Sequence, residues 1–353
     1  MKAFILNAPG EALLAEMPKP ELKDEYSAIL KPVAVSVCTS DVNTVYGSGS
    51  KKPDRLILGH EAVAEVYQTG LKVKDFKEGD LVAVPAMTPD WRNTEIQEGN
   101  FLHAGRAFSS NALGRSLPGV FAEYFMVEDA DVTLAKIPDA ISTEDALMCV
   151  DMVTTGFSGV EAADIRFGDT VAVIGIGAVG LMAAAGARLK GAGRIIAVGS
   201  RRASLPLALR YGVNDIINYK EADVRREILE MTQQKGADVV IVCGGNDKVL
   251  ELAYEIVRYG IGRIVNLKHF PGEEPIPLPK FYSGRGMGGK TLYMELGMGG
   301  RARLERLMKV VQYADFKPGK MVTHKLYGFE KLSEALELMR FKGEEVVKTE
   351  VLL

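Results

Sequence analysis

The stretch Val171-Ala172-Val173-Ile174-Gly175-Ile176-Gly177-Ala178-Val179-Gly180-Leu181-Met182-Ala183-Ala184-Ala185 decides the fold. An unbroken apolar strand runs into a glycine triplet and then into an alanine-rich helix. Gly175-x-Gly177-x-x-Gly180 therefore follows a strand and opens a helix, the setting in which such a triplet binds a dinucleotide. The first glycine permits the tight turn, the second lets the backbone approach a pyrophosphate, and the third packs helix on strand. The helix start at Ala178 and Val179 offers unpaired N–H groups to the phosphates. The triplet alone is a weak signal, because any tight strand-to-helix turn favours glycine. Its context is what gives it weight.

Outward from this stretch, strands and helices alternate. Strands are expected at Thr170–Ile174, Arg194–Val198, 215–218, 238–243 and 262–267, with helices near 178–190, 203–211, 222–234 and 247–258. That rhythm predicts an α/β fold with a doubly wound parallel sheet of the Rossmann type. The end of the second strand then selects the dinucleotide. A carboxylate there would hold the 2′-hydroxyl of NAD, but the chain reads Val198-Gly199-Ser200-Arg201-Arg202. A hydroxyl and a guanidinium suit the 2′-phosphate of NADP, which an acid would repel. Tyr219, at the end of the third strand, can flank the adenine or that phosphate.

The first 150 residues read differently. The stretch 28–38 is rich in β-branched side chains and contains Pro32, which predicts an edge strand or a bulge. Further strands are expected over 60–69 after the turn glycine Gly59, after the Gly79-Asp80 turn, and over 121–127. Residues 86–118 form an irregular lobe rich in Pro, Gly, Asn and Ser. Helices are expected after Thr143, at Arg301–Tyr313 and at 329–340, with a last strand over 346–353. The expected division is a β-rich catalytic domain from 1–152 and 295–353 and a dinucleotide-binding domain over 153–294.

Composition narrows the class. The 353 residues are 47% hydrophobic and 25% charged, with a net charge of −3, so nothing points to nucleic acid or an acidic membrane. The first residues lack the apolar core of a signal peptide, and no run nears the ~20 apolar residues of a membrane span. Three scattered cysteines (Cys38, Cys149, Cys243) do not make a disulfide framework and fit a reducing cytoplasm.

Several motifs belong together: Val35-Ser-Val-Cys38-Thr39-Ser40-Asp41, Gly59-His60-Glu61, Pro85-Ala-Met87-Thr-Pro-Asp90-Trp91, Asp151-Met-Val-Thr-Thr155-Gly156 and Gly199-Ser200-Arg201. Over the whole chain they resemble the zinc-dependent medium-chain dehydrogenase/reductase superfamily, and most of all its NADP-dependent secondary-alcohol dehydrogenases from bacteria and protozoa. The resemblance implies a GroES-like catalytic domain and a catalytic zinc on Cys38, His60 and Asp151, with Glu61 able to approach it. It implies that Ser40 passes the substrate proton, that Thr155 places the nicotinamide, and that Lys342 reaches the cofactor phosphates. A homotetramer follows from the same likeness, with the apolar, glycine-rich run 282–300 as contact surface. Many zinc alcohol dehydrogenases hold a second, structural zinc on cysteines in the lobe; residues 88–118 contain none, so only the catalytic zinc is expected.

The chain also departs from these relatives. Asn43 stands where they carry a histidine, and an amide cannot shuttle a proton near neutral pH. In the substrate pocket, beside Met87 and Leu296, Asn111 replaces a tryptophan and Gly297 a cysteine. Both changes remove bulk, which predicts larger or more polar carbonyl substrates. The competing readings are a zinc polyol dehydrogenase and, from another class, a non-catalytic nucleotide-binding relative.

Overall fold

The computed structural model describes residues 1–47, 53–271, 274–283 and 288–353. The chain divides into two compact units, Met1–Thr154 with Met298–Leu353, and Thr155–Gly297. The junctions lie two and three residues past the boundaries read from the sequence. The first falls inside a continuous helical run, where composition marks no break.

The second unit is a six-stranded sheet in the order Asp215–Ile217, Arg194–Val198, Thr170–Ile174, Val239–Val242, Arg263–Asn266, Thr291–Met294. Every pairing is parallel. The central strands are buried on both faces, which explains their continuous Val/Ile runs. Strand order reverses between Thr170–Ile174 and Val239–Val242, so the switch point opens at the C-terminal end of the glycine-triplet strand. Leu250, Ala253 and Ile256 of the helix Val249–Ile256 close one face of this core.

The first unit is built on a seven-stranded sheet and a smaller three-stranded one. Ala28–Val35 lies in the interior of the larger sheet, paired with Ala62–Thr69, Phe125–Val127 and Lys348–Leu352. Pro32 is accommodated at a register shift between Pro32 and Ala34, so the bulge reading holds and the edge reading does not. The last strand returns from the far end of the chain to pair Val351 with Val35. The core gathers Leu30, Val35, Val66, Val82, Phe121 and Leu336.

Among the described residues no helix is long and apolar enough to cross a membrane. Residues 284–287, part of the run expected to make subunit contacts, lie outside the described residues.

Candidate active site and metal centre

Three chain segments of the first unit converge on one point. Cys38 closes the extended run after Ala28–Val35 and precedes the helix Thr39–Tyr46. His60 and Glu61 lead into the strand Ala62–Thr69. Asp151 sits in a one-turn π-helix, Cys149–Val153, between the helices Thr143–Met148 and Thr154–Ala162. Such turns widen a helix locally and recur at functional sites. One ligand atom from each of Cys38, His60, Glu61 and Asp151 can be chosen so that all lie within 4.8 Å of one another. His60 Nε2 is 3.5 Å from Asp151 Oδ2 and 3.2 Å from Ser40 Oγ.

A second ring of residues orients the first. Asp41 Oδ1 lies 3.0 Å from His60 Nδ1, and its Oδ2 accepts a hydrogen bond from the Cys38 backbone N–H at 2.8 Å. A proton on Nδ1 would serve this contact and turn Nε2 toward the cluster, the arrangement a carboxylate–histidine–metal site uses once a metal displaces any proton from Nε2. Lys348 Nζ donates to Glu61 Oε1 at 2.7 Å from within the core. Neither Asp41 nor Lys348 is among the residues expected from the sequence. Asp41 carried a signal in its place within Cys-Thr-Ser-Asp; Lys348 carried none.

The close packing shifts these groups in opposite directions. Burial raises Glu61 well above its usual value, and the neighbouring Asp151 and Cys38 add to it. For His60, burial opposes protonation, but Asp41 and Asp151 outweigh it and hold the ring well above its ordinary pKa. Burial disfavours the Cys38 thiolate; Lys348 and His60 overcome this and lower the thiol. One carboxylate oxygen, Glu61 Oε2, is buried without a hydrogen-bond partner. A divalent cation would displace those protons and satisfy the anionic charge. A thiolate, an imidazole and a carboxylate are a borderline-soft donor set of the kind zinc prefers, so the residues fit the ion.

The glycine triplet has the geometry its spacing predicts. Gly175 has φ +90°, and a Cβ there would lie 2.7 Å from Gly244 Cα. A Cβ on Gly180 would stand 2.0 Å from the carbonyl oxygen of Gly175. At Gly177 a Cβ meets nothing within 4 Å, which leaves open the side from which a phosphate approaches. Ala178 and Val179 begin the helix Ala178–Leu189. Gly199 closes on Ile176, and Ser200 and Arg201 follow the buried end of Arg194–Val198. Tyr219 is exposed just beyond Asp215–Ile217. These groups fit a dinucleotide with a 2′-phosphate.

The remaining expected residues fall in both units. Thr155 and Gly297 meet in the second unit: a Cβ on Gly297 would lie 2.4 Å from Thr155 Oγ1. The missing side chain at 297 is therefore not empty space, because Thr155 fills it. Leu296 is half-buried next to it. In the first unit Met87 is buried against Gly299, whose Cβ would stand 2.0 Å from the Met87 carbonyl oxygen. Asn111 is half-buried in the lobe, where its N–H bonds the Phe108 carbonyl. Lys342 donates from its Nζ to Thr39 Oγ1. Asn43 is exposed on the helix Thr39–Tyr46.

A doubly wound dinucleotide sheet joined to a β-rich unit with a buried Cys/His/carboxylate cluster defines a metal-dependent oxidoreductase. Comparison with known proteins agrees. Residues 24–139 match the alcohol dehydrogenase GroES-like domain and residues 178–311 the zinc-binding dehydrogenase family. The chain is 46% identical to the NADP-dependent isopropanol dehydrogenase of Thermoanaerobacter brockii and 43% identical to that of Clostridium beijerinckii, with both chains covered completely in each case. Alcohol dehydrogenase TADH from Thermus sp. ATN1 superposes with a TM-score of 0.86 at 26% identity, covering both chains fully. The chain belongs to the zinc-dependent medium-chain alcohol dehydrogenases.

Proposed function

We propose that the protein transfers a hydride between NADP(H) and a secondary alcohol or ketone, and accepts aldehydes as well. The observation that carries this reading is the cluster of Cys38, His60, Glu61 and Asp151, with ligand atoms within 4.8 Å of one another. Cys38, His60 and Asp151 hold a single zinc, and Glu61 stands beside them. When bound, the zinc supplies polarisation of the substrate oxygen and the nicotinamide supplies or accepts the hydride. Ser40, with its Oγ 3.2 Å from His60 Nε2, takes the hydroxyl proton of an alcohol. With Asn43 unable to relay it, that proton passes to water.

Gly175, Gly177 and Gly180 seat the pyrophosphate. Ser200 and Arg201 hold the 2′-phosphate beside Tyr219, Thr155 orients the nicotinamide, and Lys342 approaches the phosphates. The absence of cysteine from residues 88–118 supports one zinc per chain and no structural zinc. The strand Thr291–Met294 ends the parallel sheet with Tyr293 and Met294 exposed, which supports assembly into a homotetramer. The free cysteines fit a cytoplasmic setting.

Metal analysis together with an NADPH-oxidation screen over small ketones, aldehydes and keto-sugars tests the assignment. About one zinc per chain and ketone reduction abolished by chelation are the expected results. Zinc-loaded protein inactive on every ketone would overturn it, and a preference for keto-sugars would indicate a polyol dehydrogenase. Asn111 favours substrates larger or more polar than acetone; strict preference for three- and four-carbon ketones would remove that refinement.

A further inference from the structure

A cavity of about 650 Å³ lies in the first unit, bounded by the segment that follows Met17 and by the lobe that follows Thr88. Small-molecule sites run from roughly 300 to 1,000 Å³. Met17, Ile57, Leu113, Leu117 and Phe125 give it an apolar wall, of which Ile57, Leu113 and Phe125 are buried. No member of the Cys38 cluster lines it, nor does any residue assigned above to cofactor or substrate. It is a separate cavity that the hydride transfer does not use.

The polar groups around it divide into engaged and open. Lys23 Nζ pairs with Glu128 at 2.8 Å, and Asp129 is held by Arg92 at 2.6 Å. Asp90 accepts the backbone N–H of Arg92 at 3.1 Å. Lys19 Nζ stands 3.7 Å and 3.9 Å over the rings of Tyr67 and Tyr124. Two groups are open. The guanidinium of Arg106 has no ion-pair or hydrogen-bond partner among the described residues. Ser109 Oγ is buried without a hydrogen-bond partner, a state that costs free energy until something fills it.

An open guanidinium and an open hydroxyl above an apolar wall select one kind of ligand. A planar carboxylate matches the guanidinium fork and can accept from the hydroxyl as well. A dianion such as a phosphate is disfavoured, because Asp90, Glu128 and Asp129 line the same cavity. We propose that this cavity binds an apolar monocarboxylate, with its hydrocarbon tail on Ile57, Leu113 and Phe125 and its carboxylate on Arg106 and Ser109.

The test is calorimetric titration of the zinc-loaded, NADPH-saturated full chain with decanoate and with decanol, both below micelle formation. NADPH saturation prevents oxidation of the alcohol. Decanoate should bind at about one per chain, and decanol about tenfold more weakly or worse, because it lacks the charge-assisted contacts. Arg106→Glu should weaken decanoate about tenfold or more, and leave decanol binding and KM for a small ketone unchanged. Leu117→Asp should remove binding of both. Arg106 and Leu117 are exposed, so neither change disturbs the core. Equal decanoate affinity in Arg106→Glu would place that ligand elsewhere in the protein and overturn the proposal. So would a parent protein that takes up no decanoate; if Arg106→Glu then also lowers the mass of the assembly in sedimentation, a second copy of the chain covers the cavity instead.

Discussion

Asp41 Oδ1 and His60 Nδ1 stand 3.0 Å apart, with both side chains buried. The same carboxylate accepts the Cys38 N–H, so one residue orients two members of the cluster. Asp41→Asn keeps the shape and loses the charge, and should weaken zinc binding about tenfold; Asp41→Ala should approach a hundredfold. Competition with a chelator of known affinity measures both. Unchanged affinity in Asp41→Ala would show that the contact does not serve the metal.

Arg201 follows the strand Arg194–Val198, where an acid would select NAD. Arg201→Asp should cost about 1.5–3 kcal/mol of charge-assisted hydrogen bonding, or roughly 10–150-fold in kcat/KM with NADPH. Efficiency with NADH should rise relative to NADPH. An unaltered ratio of the two would place Arg201 outside the cofactor site.

Gly297 packs against Thr155 with no room for a methyl group, since its Cβ would come 2.4 Å from Thr155 Oγ1 and 3.0 Å from Thr155 Cα. Gly297→Ala should destabilise the protein by about 1–3 kcal/mol through overpacking. Thr155→Ala removes the nearest atom and should restore part of that loss, so thermal unfolding of the double variant will show less than the sum of the singles. Strict additivity would mean that the backbone shifts to absorb the extra carbon.

Glu350 is buried, and neither carboxylate oxygen has a hydrogen-bond partner. Burial, with Glu144 adding to it and Lys325 opposing, holds its carboxyl above the ordinary value of 4.5. A raised folded-state pKa means that the native protein keeps this proton where the unfolded chain has released it. The contribution is fully present below pH 4.5 and is lost as pH climbs through the folded value. Glu350→Gln stays neutral throughout. Its gain in melting temperature over the parent should therefore be larger at pH 8 than at pH 4.5, and a gain independent of pH would refute the titration.

Much of the second unit was legible because its signals are local. The strand Thr170–Ile174, the strand Arg194–Val198 and the helix Arg301–Tyr313 in the first unit have the bounds that the sequence suggested. Apolar runs, the glycine triplet and a 3.6-residue period act over a few residues, so they can be read in order along the chain. Pro32 also spoke locally: it announced a disruption of pairing, and the register shift is there. Whether the disruption sat at an edge or inside the sheet depended on which strands came to flank it, and Lys348–Leu352 arrives from the far end of the chain.

The site lies at the other extreme. Cys38, His60 and Asp151 are far apart in sequence, each ordinary in its own segment, and only a likeness to relatives linked them beforehand. Asp41 and Lys348 show the remaining gap. By itself the sequence determined the dinucleotide fold, the glycine turn and the cofactor's charge preference, because these depend on neighbours along the chain. Tertiary structure alone decided which carboxylate orients His60, which ammonium holds Glu61, and that Thr155 fills the space at Gly297. Those contacts form between strands and turns whose approach is set by sheet register and core packing, which no local pattern encodes.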